Sequence, residues 1–444
     1  MPLFKLGKVR VPHRKNTAGM SAVRMTPPAV VTIPMSQHIG APATPVVKAG
    51  DKVYVGTLIG EASSFVSANI HSSVSGTVKK VASFLMASGA SCQSVIIESD
   101  GLMEADPSIA PPKVESFEQL SAAVRASGLV GLGGAGFPAS VKLDASKIDG
   151  IDALVLNGAE CEPYITSDTR TMLDRRDDVR EGVEKLLSLT KIKNVYIGIE
   201  SNKPECIHTL RASFADDERV EVLALPDRYP QGAEKILIYN TTGRIVPEGK
   251  LPSDVGVLVM NVTSVAVMAE YLRTGMPLVE KCVTVDGSAV AEPKNLIIPV
   301  GTPIGDVIEF AGGLCAEAGK VLYGGPMMGV AVYTTDDPVM KNTNAITVLA
   351  KEDAKCRRET SCIHCGRCVS ACPMGLNPTA FAKAMGLFDR SDRAQRLEDE
   401  KVALCIECGC CSFVCPAKRP LVENNRLAKA DLRQFKTEAA KLKN

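Results

Sequence analysis

No stretch of this 444-residue sequence is apolar for long enough to cross a bilayer. The longest, VGVLVMNVTSVAVM at 255–268, is interrupted by polar residues and falls short of the roughly 20 residues a spanning helix needs. The first residues, MPLFKLGKVRVPHRKN, lack the apolar core of a secretory signal. Together these features lead us to expect a chain that works in the cytosol or against the cytosolic side of a membrane. An excess of charge of either sign is also missing: 51 Lys and Arg stand against 50 Asp and Glu, which argues against nucleic acid as the main partner. The length exceeds what one core organises, so about two to four domains are expected.

What the sequence does have is cysteine, and its distribution is uneven. Of 15 cysteines, five (Cys92, Cys161, Cys206, Cys282, Cys315) are scattered singly and read as small buried apolar residues. The rest fall between 356 and 415. In a reducing compartment such a concentration points to metal or redox chemistry and away from disulfides. CIHCGRCVSACP sets Cys362, Cys365, Cys368 and Cys372 at C-x2-C-x2-C-x3-C-P, and CIECGCCSFVCP repeats the spacing with Cys405, Cys408, Cys411 and Cys415. Three thiolates on one tight loop can wrap three irons of a cubane, and in two-cluster proteins the fourth ligand is the last cysteine of the other run. That assigns Cys362, Cys365, Cys368 and Cys415 to one [4Fe–4S] cluster, and Cys405, Cys408, Cys411 and Cys372 to the other. Structural zinc does not need a triple followed by Cys-Pro. Cys356 and Cys410 lie off the spacing and read as bystanders.

A glycine-rich stretch, GLVGLGGAGFP at 128–138, raises a second question, since so many glycines usually let something approach the main chain. Its G-x-G-x-x-G follows a segment with helical periodicity (116–127) instead of a strand, which is the wrong order for a dinucleotide fold. No G-K-S/T closes it as a phosphate loop. Around it, residues 32–85 alternate like a small β unit resembling the barrel-sandwich hybrid of biotinyl and lipoyl domains, without the lysine a carrier hairpin needs at 61–73. A Pro-rich joint follows at 106–113. From 114 to about 275, apolar runs at 151–157, 194–200, 219–226 and 255–262 alternate with helical stretches, an α/β pattern with a largely parallel sheet. Ligands gather at the carboxyl ends of such strands, here NGAECEP (157–163) and NVTS (261–264). The order at 279–335 suggests a β-grasp. The tail 429–444 places Leu432, Phe435, Ala439 and Leu442 on one face of a basic helix.

With GLGGAGFPASVK, NGAECEP, YGGPMMG and the paired cysteine runs in one chain, the sequence resembles the C-subunit family of the Rnf complex, the ion-translocating NADH:ferredoxin oxidoreductase. Its middle part is similar to the NADH-binding flavoprotein subunit of complex I. The resemblance implies a multidomain fold of α/β, all-β and ferredoxin-like modules. These are a region with the hybrid domain at 1–113 (about 32–85), an FMN/NADH-binding α/β domain at 114–275, a soluble-ligand-binding β-grasp (SLBB) at 276–340, a 2×[4Fe–4S] ferredoxin domain at 350–425 and a basic helix at 426–444. It implies FMN, NAD(H) and two [4Fe–4S] clusters as cofactors, and other Rnf subunits and ferredoxin-type carriers as partners. It also implies a peripheral seat on the cytoplasmic face of the bacterial membrane.

By the same resemblance, the backbone of Gly133, Gly134 and Gly136 lies against FMN and the nicotinamide nucleotide, Phe137 stacks on a nucleotide ring, and Lys142 offers a charge to phosphate. Asn157, Glu160, Glu162, Glu234 and Asn261 match polar positions around the flavin, while Leu132 and Ala159 replace an arginine and an aspartate of the complex I loops. The chemistry is consistent: NADH gives up two electrons together, a cubane takes one, and a flavin can split the pair. No side-chain nucleophile or general base is required. Two other readings stay open at this point: a soluble or microcompartment relative such as cobalamin reductase, and a non-enzymatic electron-relay adaptor.

Overall fold

The computed structural model describes residues 8–356 and 358–441. The first unit is a pair of small sheets. Val30–Pro34, Ser91–Ser99, Gly76–Leu85 and Lys52–Val53 form one antiparallel sheet; Thr44–Pro45, Leu58–Glu61 and Ile70–His71 form the other. Period-2 alternation explains the layer between them: Val31, Ile33, Val95 and Ile97 point inward and are fully buried with Ile59, Ile70 and Val74. The 61–73 segment, which in a carrier domain would present a lysine, is instead fastened to the helix at 117–126 and to the chain just after 340. Arg125 donates to the carbonyls of Ser64 (2.8 Å) and Phe65 (3.2 Å), and Lys341 Nζ donates to that of Asn69 at 2.5 Å.

The central domain has a four-stranded parallel sheet in the order Val220–Leu225, Asn194–Glu200, Ala153–Asn157, Val257–Asn261. Its strands read as continuous apolar runs because both faces are covered. Helices Phe117–Ala126, Ser167–Asp174, Arg176–Leu189, Pro204–Ser213 and Val262–Thr274 pack on one face, and Glu234–Thr242 on the other. The helix at 117–126 begins with a capping box, Ser116 with Gln119, and the chain reverses at Gly128, whose φ of +67° suits glycine. Buried leucines such as Leu120 each contribute about 2 kcal/mol of apolar burial. Ala153–Asn157 has its sequence successor on one side and Val257–Asn261 on the other, so the strand order reverses there. A crevice opens beyond the carboxyl ends of these two strands, where Asn157 and Asn261 are register partners.

The third unit shows the strand, strand, helix order expected of a β-grasp: Glu280–Asp286, Lys294–Pro299, then helix Ile304–Phe310. Its six-stranded sheet also takes in Val23–Arg24 and Ala345–Ala350, from outside 276–340. In the cysteine-rich segment, short helices Arg367–Ser370 and Cys410–Phe413 lie within the two runs, each carrying the third cysteine of its run, and helices Pro378–Ala384 and Arg390–Asp399 lie between the runs. The final helix begins at Leu421, inside the expected 350–425 segment. Its apolar face is covered: Ala428 and Leu432 are buried with Phe381, Ala384 and Leu397, and Phe435 packs partly against them. That face is therefore part of the domain core and not a free amphipathic surface; Leu442 lies outside the described residues. No helix among the described residues is long and apolar enough to cross a membrane.

Candidate cofactor cavity and paired cysteine cradles

A cavity of about 850 Å³ occupies the crevice at the strand ends. Gly133 and Gly134, Asn157, the segment 159–162, and Tyr229, Pro230 and 232–235 form its central-domain side. Residues 323–325 and 328–330 come from the β-grasp, and Met374, Leu404, Cys405, Ile406 and Cys408 from the cysteine-rich domain. Gly133 is pressed against Asn261, whose Nδ2 would stand 2.3 Å from an added Cβ. Gly134 has no heavy atom within 4 Å of that position, so its backbone is open to the cavity. Leu132, which replaces an arginine of the complex I loop, is fully buried in the domain core.

Asn157 Nδ2 donates to Gly232 O (3.0 Å), and its Oδ1 accepts from the Ala159 amide (3.0 Å), which sets the course of the 157–162 loop. Asn261 caps the helix at 262–274, its Oδ1 accepting from the amides of Thr263 and Ser264, and its Nδ2 donates to Asp168 at 2.8 Å. Asp168 is a buried carboxylate whose proton affinity is raised by burial. Glu160 accepts from the Asp168 amide (2.7 Å) and the Thr169 hydroxyl (2.8 Å). Glu162 reaches across to the β-grasp and accepts from the amides of Met327 (3.0 Å) and Met328 (2.8 Å) and from the Tyr229 hydroxyl (3.3 Å). Burial pushes its pKa up against these donors.

Lys15 was not singled out by any motif. Its Nζ donates to the carbonyls of Glu160, Glu162 and Ile165 at 2.7, 2.7 and 2.5 Å, holding the whole acidic loop from the amino-terminal segment. Glu234 lies on the cavity wall, but Lys142 does not: it pairs with Glu234 (3.3 Å) and donates to Val259 O (3.0 Å). Gly136 and Phe137 are also off the wall, and Gly136 O accepts from the Ile39 amide of the hybrid unit at 3.2 Å. Lys235 and Lys250 place cations on the wall instead.

The cysteine runs form two cradles, each taking three cysteines from one run and the last from the other. Cys372 joins Cys405, Cys408 and Cys411 around one small cavity, with Met374, Phe381, Ile406, Val422 and Asn425. Cys415 joins Cys362, Cys365 and Cys368 around the second, with Ile363, His364 and Arg419. Cys405 and Cys408 also line the large cavity, so the first cradle is the inner one. Asn425 Nδ2 is directed at the sulfurs of Cys405 (3.5 Å) and Cys411 (4.0 Å). Cys410 is fully buried on the inner wall, closer to the chemistry than its spacing suggests, while Cys356 is exposed. Of the scattered cysteines, Cys206 is buried, Cys92, Cys161 and Cys282 are partly so, and Cys315 departs from expectation in being exposed.

These residues fit the expected groups. The large cavity falls in the range of cofactor pockets, about 300–1,000 Å³, and combines an open glycine backbone with cations for a phosphate. Each cradle offers four thiols, the donor set of a cubane.

The RnfC barrel sandwich hybrid domain model matches residues 4–102, the Nuo51 FMN-binding domain 124–270, the SLBB domain 282–331 and the 4Fe-4S dicluster domain 359–426. The C subunit of the Na(+)-translocating ferredoxin:NAD(+) oxidoreductase complex of Acetobacterium woodii is 44% identical over 432 residues, covering 96% of this chain and 96% of that protein. The chain belongs to the RnfC family. A second RnfC relative, the C subunit of the proton-translocating ferredoxin:NAD(+) oxidoreductase complex of Clostridium ljungdahlii, is 41% identical over 398 residues, 89% of this chain and 86% of the relative. A chain of an air-oxidised NAD+-reducing [NiFe]-hydrogenase shares the fold at a TM-score of 0.51 and 20% identity. The match covers 71% of this RnfC chain and 61% of that one. The fold class expected from the sequence is the one found, with an FMN-binding domain and a 4Fe–4S dicluster domain in one RnfC chain.

Proposed function

We propose that this chain is the electron-input subunit of an Rnf complex, an oxidoreductase subunit that carries electrons between NAD(H) and ferredoxin-type carriers. In this reading segment 114–275 holds FMN and receives NADH, segment 350–425 holds the two clusters, and the chain is a peripheral subunit on the cytoplasmic side of the membrane beside its partner subunits. The observation that carries the reading is the shared wall: Cys405 and Cys408 belong both to the 850 Å³ cavity and to the inner cradle.

FMN, when bound, supplies the conversion of a two-electron donor into single electrons. The chain's own residues orient and enclose. Gly134 leaves its backbone bare so that a flat ring can approach the main chain. Asn157 and Asn261 hold the two strand ends in register, and Lys15 locks the 160–165 carbonyls on one side of the crevice. Glu162 ties the 323–329 loop down over the cavity through the amides of Met327 and Met328, which limits the access of water. No buried side chain is needed as an acid or base.

The experiment is anaerobic purification of the full chain, followed by addition of NADH. Bound yellow flavin should bleach and an artificial dye should be reduced. A chain that retains FMN but is not bleached by NADH contradicts the proposal. For the membrane seat, sedimentation with membranes only in the presence of the other Rnf subunits, with release by high salt, is expected.

A further inference from the structure

We infer that the outward face of the outer cradle is a docking surface for an acidic one-electron-carrier protein; this rests on the proposed function and adds where, and with what charge, the carrier meets the chain. Cys365 is exposed at the surface and lines the cradle with two exposed apolar side chains, Ile363 (66% exposed) and Val369 (40%), while Phe413 is 45% exposed on the neighbouring short helix. The last two belong to helices Arg367–Ser370 and Cys410–Phe413, which pack against each other, so the apolar side chains share one end of the domain.

Cations surround them. The Thr360 amide donates to Ala417 O at 3.0 Å, laying the 358–360 segment beside 417–419. Arg419 lines the cradle, the exposed Arg367 begins the helix that carries Cys368, and the exposed Arg358 and Lys418 flank the Thr360–Ala417 contact; none of the four has an ion pair among the described residues. The flanking sequences 355–372 and 412–422 contain a single acid, Glu359. The inner cradle differs: its neighbours Arg426 and Lys429 are both paired with Glu407, at 3.3 and 2.5 Å.

An apolar centre with a charged, unneutralised rim suits a small transient interface, in which the rim steers encounter and the centre supplies contact. Four unpaired cations select a partner of negative charge. A protein carrier is favoured over a lipid surface because the exposed apolar residues Ile363 and Val369 line a redox cradle, where a second redox centre must come close. On docking, one electron crosses, the cluster of the outer cradle and the carrier's own centre changing by one in opposite senses; no bond forms or breaks and no proton moves.

The test uses the full chain with both clusters assembled and, as probe, an acidic bacterial [4Fe–4S] ferredoxin, with binding measured against salt concentration. Reversing charge in Arg358→Glu/Lys418→Glu, outside both ligand loops, is expected to weaken binding about tenfold at low salt and to flatten the salt dependence. The milder Arg358→Gln/Lys418→Gln should fall between. Lys79→Glu/Lys80→Glu, the same charge change on exposed positions of the hybrid unit, should match wild type. Binding unaffected by the reversal, equal loss in the control, or preference for phosphatidylglycerol vesicles over the ferredoxin would overturn the inference. Binding is read without turnover, so a wild type that binds the carrier yet cannot reduce dye with NADH contradicts only the flavin reading.

Discussion

The two cradles share one cysteine spacing and differ in almost everything around it. The inner one, Cys372 with Cys405, Cys408 and Cys411, is walled by Met374, Phe381, Ile406 and Val422, abuts the flavin-sized cavity and has its nearby cations neutralised by Glu407. The outer one, Cys415 with Cys362, Cys365 and Cys368, reaches solvent at Cys365 and is lined by Arg419, which has no ion pair among the described residues. Cys368 and Cys415 of the outer cradle pack with Cys411 of the inner one in a single apolar cluster with Leu421 and Val422, which joins the two in series. Equal ligands in unequal surroundings are how a protein makes two clusters unequal in potential, since solvent exposure and hydrogen bonds to sulfur tune it. The comparison teaches that position relative to the cavity, and not ligand spacing, divides the roles.

The comparison breaks most visibly if the ligand crossing is wrong. Cys372→Ala should remove the cluster of Cys405, Cys408 and Cys411 and spare the other, and Cys415→Ala should do the reverse, read by iron content and EPR; loss of one and the same cluster in both variants would contradict the crossing. Next in size is Gly134→Val. Since nothing stands within 4 Å of the added Cβ, the chain should fold and keep the iron of both cradles while FMN and NADH-driven dye reduction are lost. Activity at the wild-type level would show that the cavity is not the flavin site.

A smaller effect should separate the cradles by potential. Asn425 is a buried polar residue in an apolar helix stripe, and among the described residues its Nδ2 meets only the sulfurs of Cys405 and Cys411. Asn425→Leu keeps the size and removes the donor, so the inner midpoint should move to lower potential in a redox titration while the outer stays fixed. The smallest effect is a pH control remote from both. Lys341 donates to Asn69 O (2.5 Å) and Gly128 O (2.8 Å), and burial brings its pKa down to about 7 from 10.5. Between those values the unfolded chain binds the extra proton, so this group makes stability rise with pH from about 7 toward 10 and adds nothing below 7. Lys341→Met should flatten that rise in thermal melts without moving either potential.

What could be read from the sequence was local. The cysteine spacing anticipated which four cysteines line each cradle, because the geometry of a short loop is fixed, and the strand ends at Asn157 and Asn261 follow from period and turn. Lys15 was invisible because its three carbonyl partners lie about 145 residues away and nothing in HRKNTAG marks it. Val23–Arg24 is too short to signal a strand, and it exists only because Lys294–Pro299 offers an edge. The apolar stripe at 429–444 was legible as a stripe; its partner, the Phe381 and Leu397 layer, was not. Lys142 and Phe137 lie in the right motif yet off the cavity wall, since the glycine turn sends the chain after Gly136 back toward the hybrid unit.

The central claim is that the inner cradle stands between the flavin cavity and the outer cradle. Rapid-freeze EPR after mixing with NADH, on Cys372→Ala and Cys415→Ala loaded with FMN, tests it most directly. In Cys415→Ala the inner cluster should be reduced at the wild-type rate. In Cys372→Ala the surviving outer cluster should be reduced far more slowly, or not at all, on that timescale. Fast reduction of the outer cluster with the inner one missing would contradict the account.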